Sequence, residues 1–194
     1  MDRACPETLR DDPERGIAAS AALIGRWHGR GRSRYVVTPR FAVTSTETQL
    51  RLAGELVRDH PTVLMQTHLS ESTREIETVR ALFPKAKSYT DVYDRFGLLG
   101  ARSLFGHAIH LDEMECARLS ETGSVAVHCP TSNCFLGSGL FDIGRLSDPE
   151  RPVRLGLATD IGGGTSWSML ATQGRAIEVA RLAGGSLSAT RAFY

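Results

Sequence analysis

Apolar positions along this chain follow two rhythms. Five short runs, YVVT (35–38), VLMQT (63–67), SLFGH (103–107), SVAVH (124–128) and VRLGLAT (153–159), are largely apolar and bounded by turn residues. Runs of that length predict buried strands. The segments between them repeat their apolar residues at helical spacing. Residues 12–27 predict a helix with Pro13 near its start and Gly29 and Gly31 past its end. Residues 46–58 predict an amphipathic helix that buries Leu50, Leu52, Ala53, Leu56 and Val57 and is broken by Pro61. Further helices are expected over 71–82, opened by Ser70 or Ser72, near 90–99, over 112–121 with Gly123 closing it, near 140–146, and over 165–182. The stretch CPTSNCFLGSG (129–139) reads as a loop.

Mostly apolar strands alternating with helices predict an α/β fold with a parallel sheet covered on its faces. Five strands do not close an α/β barrel, which takes eight strands and typically about 250 residues. Two architectures remain: an open doubly wound domain, or a partial (β/α)8 TIM-type barrel. Met1 is followed at once by loop-like sequence, and the chain stops at Arg191-Ala192-Phe193-Tyr194 inside what reads as a starting helix. Both ends favour the partial barrel, part of a longer protein. No linker, charge block or repeat divides the chain, so residues 1–194 are expected to form one incomplete barrel domain with no separate second domain.

Composition excludes more than it selects. A net charge of +1 gives no electrostatic footprint for nucleic acid or an anionic membrane. No stretch approaches the roughly 18 uninterrupted apolar residues of a membrane span. The opening MDRACPETLRDDPER carries no apolar run of the secretory type. Cys5, Cys116, Cys129 and Cys134 form no CxxC pair and read as free thiols of a reducing cytoplasm.

Candidate chemistry collects where the apolar runs stop. His68 follows VLMQT, His107 ends SLFGH, and Asp160 follows VRLGLAT. Parallel strands closing on one rim would bring these three together, and two imidazoles with a carboxylate suit a divalent metal. Glu71 forms an HxxE unit with His68; on a first helical turn it could move protons without ligating, or simply favour the helix dipole. Asp160 could equally cap a helix. Arg40 and Phe41, in TPRF after the first run, sit on the same expected rim, where a cation beside an aromatic suits a planar ligand with a carbonyl oxygen. Gly162, Gly163 and Gly164 lack the GK[ST] of a P-loop and read as permitting close backbone approach. His28 and His60 fall at helix ends, while His110 and His128 have no assigned role.

Taken together, RWHGRGRSRYVVTPRF, THLSES, LFPKAKSYTDVYDRFGLLG, FGHAIHL, HCPTSNCFLGSGLFD and LATDIGGGTSWSML resemble the amidohydrolase superfamily and, within it, the guanine deaminases. The resemblance runs from MDRACP to SLSATRAFY, nearly the whole chain. It implies a (β/α)8 barrel of which this chain carries about strands four to eight, one zinc ion, and guanine as the small-molecule substrate. It also implies His68, His107 and Asp160 as metal ligands, Glu71 as proton shuttle, and Arg40 and Phe41 as purine contacts. Water would attack C2 of guanine while Glu71 protonates N3 and Asp160 relays a proton to the departing amino group, releasing ammonia and xanthine. A cytoplasmic homodimer is implied for a full-length form.

The departure is equally informative. The family carries HxH at the end of its first barrel strand, and this chain has no HxH. The metal shell is therefore expected to be incomplete, the chain alone inactive and poorly soluble. A related amidohydrolase acting on another amino-purine, pterin or triazine is one alternative, and a non-catalytic metal- or partner-binding remnant is another.

Overall fold

The computed structural model describes residues 1–194. All five apolar runs become strands: β1 (Val36–Val37), β2 (Leu64–Leu69), β3 (Ser103–His107), β4 (Val125–His128) and β5 (Arg154–Leu157). They form one parallel sheet in the order β1-β2-β3-β4-β5. Each strand pairs with its sequence neighbour and the order never reverses. With right-handed crossovers, a sheet built that way keeps its helices on one face. That is the pattern of a barrel arc and excludes the doubly wound alternative, whose strand order reverses at a switch point.

The helices are α1 (Pro13–Trp27) before β1, then α2 (Glu47–Asp59), α3 (Thr73–Leu82), α4 (Tyr89–Arg95), α5 (Glu113–Thr122), α6 (Pro130–Leu136) and α7 (Ile143–Leu146) between strands, and α8 (Met169–Leu182) and α9 (Ala189–Phe193) after β5, with short 3-10 turns at Glu7–Leu9 and Ala42–Thr44. Their starts follow the capping residues. Asp12, Thr46, Ser72, Ser88, Asp112, Ser168 and Ser188 each accept a backbone N–H of the first turn. Such caps contribute about 1 kcal/mol each. Asp112 and Glu115 form a full capping box, and Gly123 closes α5 in the left-handed conformation. Glu115 also accepts the Thr90 N–H at 3.0 Å, tying α5 to α4.

The core lies between the sheet and this helix layer. Met65 and Leu69 of β2, Phe105 of β3, Leu50 of α2, Tyr93 of α4 and Leu119 of α5 are fully buried there. Gly54 marks the tightest approach: a Cβ at that position would stand 1.8 Å from the Phe96 carbonyl oxygen.

Four expectations need correction. Cover on the two faces is uneven: in β2 Met65, Thr67 and Leu69 are buried while Gln66 is exposed and Leu64 and His68 are half-buried, whereas Ala126, Val127 and His128 of β4 are all buried. CPTSNC is not a loop but the start of α6, with Pro130 at its first turn and left-handed Gly137 at its end. The last long helix begins at Met169, capped by Ser168, so the glycines lead into a turn rather than directly into α8. Glu71 precedes Ser72, the cap of α3, and is thus not on a helical turn.

Candidate functional site

Because all strands run parallel, their carboxyl ends share one rim, and His68, His107 and Asp160 arrive there from β2, β3 and the β5 exit. They line one cavity of about 340 Å³ together with Gln66, Leu104 and Val127. The backbone turns sharply at each exit. Ser70, His107, Ala108 and Asp160 have left-handed φ values of 49, 69, 48 and 47°. Non-glycine residues adopt that region at a cost, and such strain collects at functional sites. At His107 the turn has a visible effect. His107 pairs with Leu69, and its strand parity matches Phe105 under the helices. Its ring instead stacks on that of His68, with centroids 5.3 Å apart and planes 26° apart.

Each imidazole has one nitrogen engaged. His68 Nδ1 lies 2.7 Å from the Arg40 carbonyl, which also receives the His68 N–H at 3.3 Å and the Thr67 hydroxyl at 3.1 Å. His107 Nδ1 lies 2.8 Å from Asn133 Oδ1 on α6. A carbonyl acceptor requires Nδ1–H at His68, which leaves Nε2 with a free lone pair; the Asn133 oxygen does the same for His107. That is the tautomer a metal-ligating histidine uses. Burial lowers the His68 pKa, and the nearby His107 acts in the same direction against the Arg40 hydrogen bond. The ring is thus kept neutral and able to ligate.

The carboxylates close around His107. Its Nε2 is 3.7 Å from Glu71 Oε2 and 4.0 Å from Asp160 Oδ2. Glu71 is held at both ends: Ser138 Oγ donates to Oε1 at 3.0 Å, and its N–H donates to Glu75 Oε2 at 3.2 Å. On the far side of His68, the Phe41 ring stands 5.5 Å away, and the Arg40 guanidinium lies over Phe41 at 4.6 Å. Arg40, Phe41, His68 and His107 therefore form one row along the rim, with the Phe41 ring tilted 48° to that of His68.

The glycine turn behaves as close-approach chemistry demands. A Cβ at Gly163 would stand 2.9 Å from Asp160 Oδ2, and one at Gly164 would stand 2.0 Å from the Thr159 carbonyl. His128 is buried, stacked on Phe141 at 4.5 Å, and burial lowers its pKa to about 4. His110 meets the Ser138 carbonyl at 2.7 Å, and His28 and His60 are helix C-caps outside the site.

No group of three or more His, Cys, Asp or Glu side chains is drawn together closely enough to hold a metal ion as it stands. The two imidazoles stack rather than converge. The donor set nevertheless fits a divalent metal in kind. Both Nε2 atoms are free, and the His107–Asp160 separation of 4.0 Å is near the roughly 3.4 Å between two ligands of a tetrahedral ion bound at about 2.0–2.2 Å. Asn133, Ser138, Glu75 and Tyr93 were not foreseen in the sequence. Asn133 and Ser138 sit on or beside α6, where Pro130 and Gly137 bracket a helix, a signal that was present but outweighed by the turn-forming residues between them.

A sequential parallel arc with two imidazoles and two carboxylates on its carboxyl rim defines the class: one side of an α/β barrel of the metal-dependent amidohydrolases. No family model matches the chain. Guanine deaminase of Escherichia coli K12 is 45% identical over 194 residues, which is all of this chain and 44% of that protein. The solved E. coli guanine deaminase superposes with a TM-score of 0.96 over 100% of this chain and 45% of its own. Guanine deaminase from C. acetobutylicum, solved with bound guanine, gives 0.93 at 29% identity over 100% of this chain and 48% of its own. A Xanthomonas campestris adenosine deaminase with bound zinc shares the fold, with a TM-score of 0.84 at 22% identity over 97% of this chain and 43% of its own. Along its whole length this chain is similar to guanine deaminases of the amidohydrolase class. It spans less than half the length of the curated relatives it matches.

Proposed function

We propose that this chain carries part of the active site of a guanine deaminase, which hydrolyses guanine to xanthine and ammonia. The observation that supports it best is the meeting of His68, His107, Glu71 and Asp160 on one rim beside the Arg40–Phe41 stack. His68, His107 and Asp160 would hold one zinc ion, which lowers the pKa of a bound water so that hydroxide is available near neutral pH. Arg40 contacts the carbonyl side of the purine and Phe41 packs against the ring. Glu71, steadied by Ser138, protonates N3 so that charge does not build on the ring. The proton Glu71 delivers is the first one the attacking water gives up; Asp160 accepts the remaining one and returns it to the amino group, which leaves as ammonia.

Further metal contacts would come from the barrel strands that the longer relatives possess. The 194-residue chain alone is therefore expected to turn over guanine slowly or not at all. The completed enzyme would work as a homodimer in the cytoplasm on a small-molecule substrate, without nucleic acid or membrane. No helix is long and apolar enough to cross a membrane.

Xanthine formation and ammonia release are measured on two zinc-loaded samples: the chain alone, and the chain completed by the N-terminal segment of the E. coli relative. Turnover confined to the completed sample supports the proposal. Zinc binding by both with no turnover of guanine defeats it, and assays with adenosine, pterins and triazines would then identify a related ring as substrate.

A further inference from the structure

The segment SYTDVYDRFGLLG is among the most characteristic parts of the sequence, yet none of its side chains lines the cavity. It forms α4, whose Tyr89 and Tyr93 stand one helical turn apart beneath the rim, 3% and 0% exposed. The Tyr93 ring packs against Tyr89 at 5.5 Å and Phe105 at 5.7 Å. Packing alone needs only the ring, so phenylalanine would serve. The hydroxyls have other work.

Tyr93 donates to the His68 carbonyl at 2.8 Å, accepts the Ala42 N–H at 3.0 Å, and lies 3.1 Å from the Thr67 hydroxyl. One oxygen thus joins the exit of β1, which carries Arg40 and Phe41, to the end of β2. Tyr89 donates to Glu75 Oε1 at 2.6 Å, and Glu75 Oε2 receives the Glu71 N–H. The two arms grip the chain on both sides of left-handed Ser70. Burial pushes both phenols upward in pKa, so they remain hydrogen-bond donors at neutral pH.

We infer that Tyr89, Tyr93 and Glu75 form the positioning device of the rim: Tyr93 fixes the Arg40–Phe41 turn against His68, and Tyr89, through Glu75, fixes the main chain of Glu71. These are positioning residues acting through others. Their function rests on the roles proposed above for Arg40, His68 and Glu71. Their test needs no turnover, so a failure of guanine deamination and a failure of this inference are separately visible.

The experiment is amide hydrogen exchange with 15N spectra of the His68 ring, on the 194-residue chain, its Y93F variant and its Y89F variant. Y93F should accelerate exchange at Ala42 about tenfold or more and convert the single Nδ1–H tautomer of His68 into a mixture, with Glu71 unmoved. Y89F should accelerate Glu71 by a similar factor and leave Ala42 unmoved. Amides of α2, α5 and β4 should stay unchanged in both. A uniform acceleration across all these amides, or none at Ala42 and Glu71, overturns the inference by reducing the tyrosines to ordinary core. Should Y93F fail to fold, the unsubstituted chain decides: Ala42 and Glu71 amides must exchange as slowly as the ladder amides of β2 and β3, and exchange at loop rates overturns it.

Discussion

On the β1–β3 side of the rim, each backbone that carries a candidate residue is fastened by buried polar groups behind it. Tyr93 holds His68 and Ala42, Glu75 holds Glu71, and Asn133 holds the His107 ring. On the β5 side, Asp160 sits in a turn held largely by its own backbone. Gly163 and Gly164 N–H groups donate to the Asp160 carbonyl at 3.1 and 2.5 Å, and Thr131 donates to Thr159 at 3.3 Å. The Asp160 side chain is 31% exposed where that of His107 is 3%, and nearby Trp167 is 84% exposed. One side is set by side-chain chemistry and the other by a close backbone approach that only glycine leaves room for. Substitutions should therefore fail differently on the two sides: by lost hydrogen bonds on the first, by steric conflict with the backbone on the second.

The largest effect tests the packing that supports the fastened side. Gly54→Ala places a methyl 1.8 Å from the Phe96 carbonyl. It should cost about 3 kcal/mol or more, or abolish folding, in a thermal melt followed by circular dichroism. A melt within a few degrees of the parent would show that α2 can withdraw from α4.

His128 on β4 joins the two sides and is buried with Nδ1 lacking a hydrogen-bond partner. Its folded pKa of about 4 lies below the ordinary 6.5. The unfolded chain takes up this proton first, so the stability tied to neutral His128 is complete above about pH 6.5 and is lost as pH falls toward 4. At about 1.4 kcal/mol per pH unit, the gap amounts to about 3 kcal/mol. Denaturant melts of the parent and His128→Phe should diverge across that window, with the parent losing more. Parallel acid profiles would refute this.

On the β5 side, Gly164→Ala meets the Thr159 carbonyl at 2.0 Å and the Thr131 hydroxyl at 2.7 Å. It should cost about 2 kcal/mol and displace Asp160 while leaving β1–β3 exchange rates unchanged. Limited proteolysis should show new cleavage near Trp167. The smallest effect is expected from Ser138→Ala, which removes one hydrogen bond to partly exposed Glu71. It should change stability by about 1 kcal/mol or less, read in the same melts.

The outer face of the sheet was legible in the sequence and the rim only partly so. Apolar runs, helical spacing and the Ser72 cap mark the strands and helices because each rests on local chemistry. His68, His107 and Asp160 could be found because ionisable residues at the ends of apolar runs are costly without a partner. The left-handed turn that swings His107 toward His68 has no local signature, since histidine is not a residue that asks for φ of 69°. The tyrosines of α4 were equally hidden. Their ring spacing reads as core, and their hydroxyl partners lie 14 and 25–51 residues away in sequence.

The central claim is that the fastened and glycine-held sides meet around one metal ion. Zinc titration of the chain by calorimetry tests it most directly. One ion per chain is predicted, bound about a hundredfold more weakly after His107→Ala and unchanged after His28→Ala. No zinc uptake, or uptake indifferent to His107→Ala, would contradict the account.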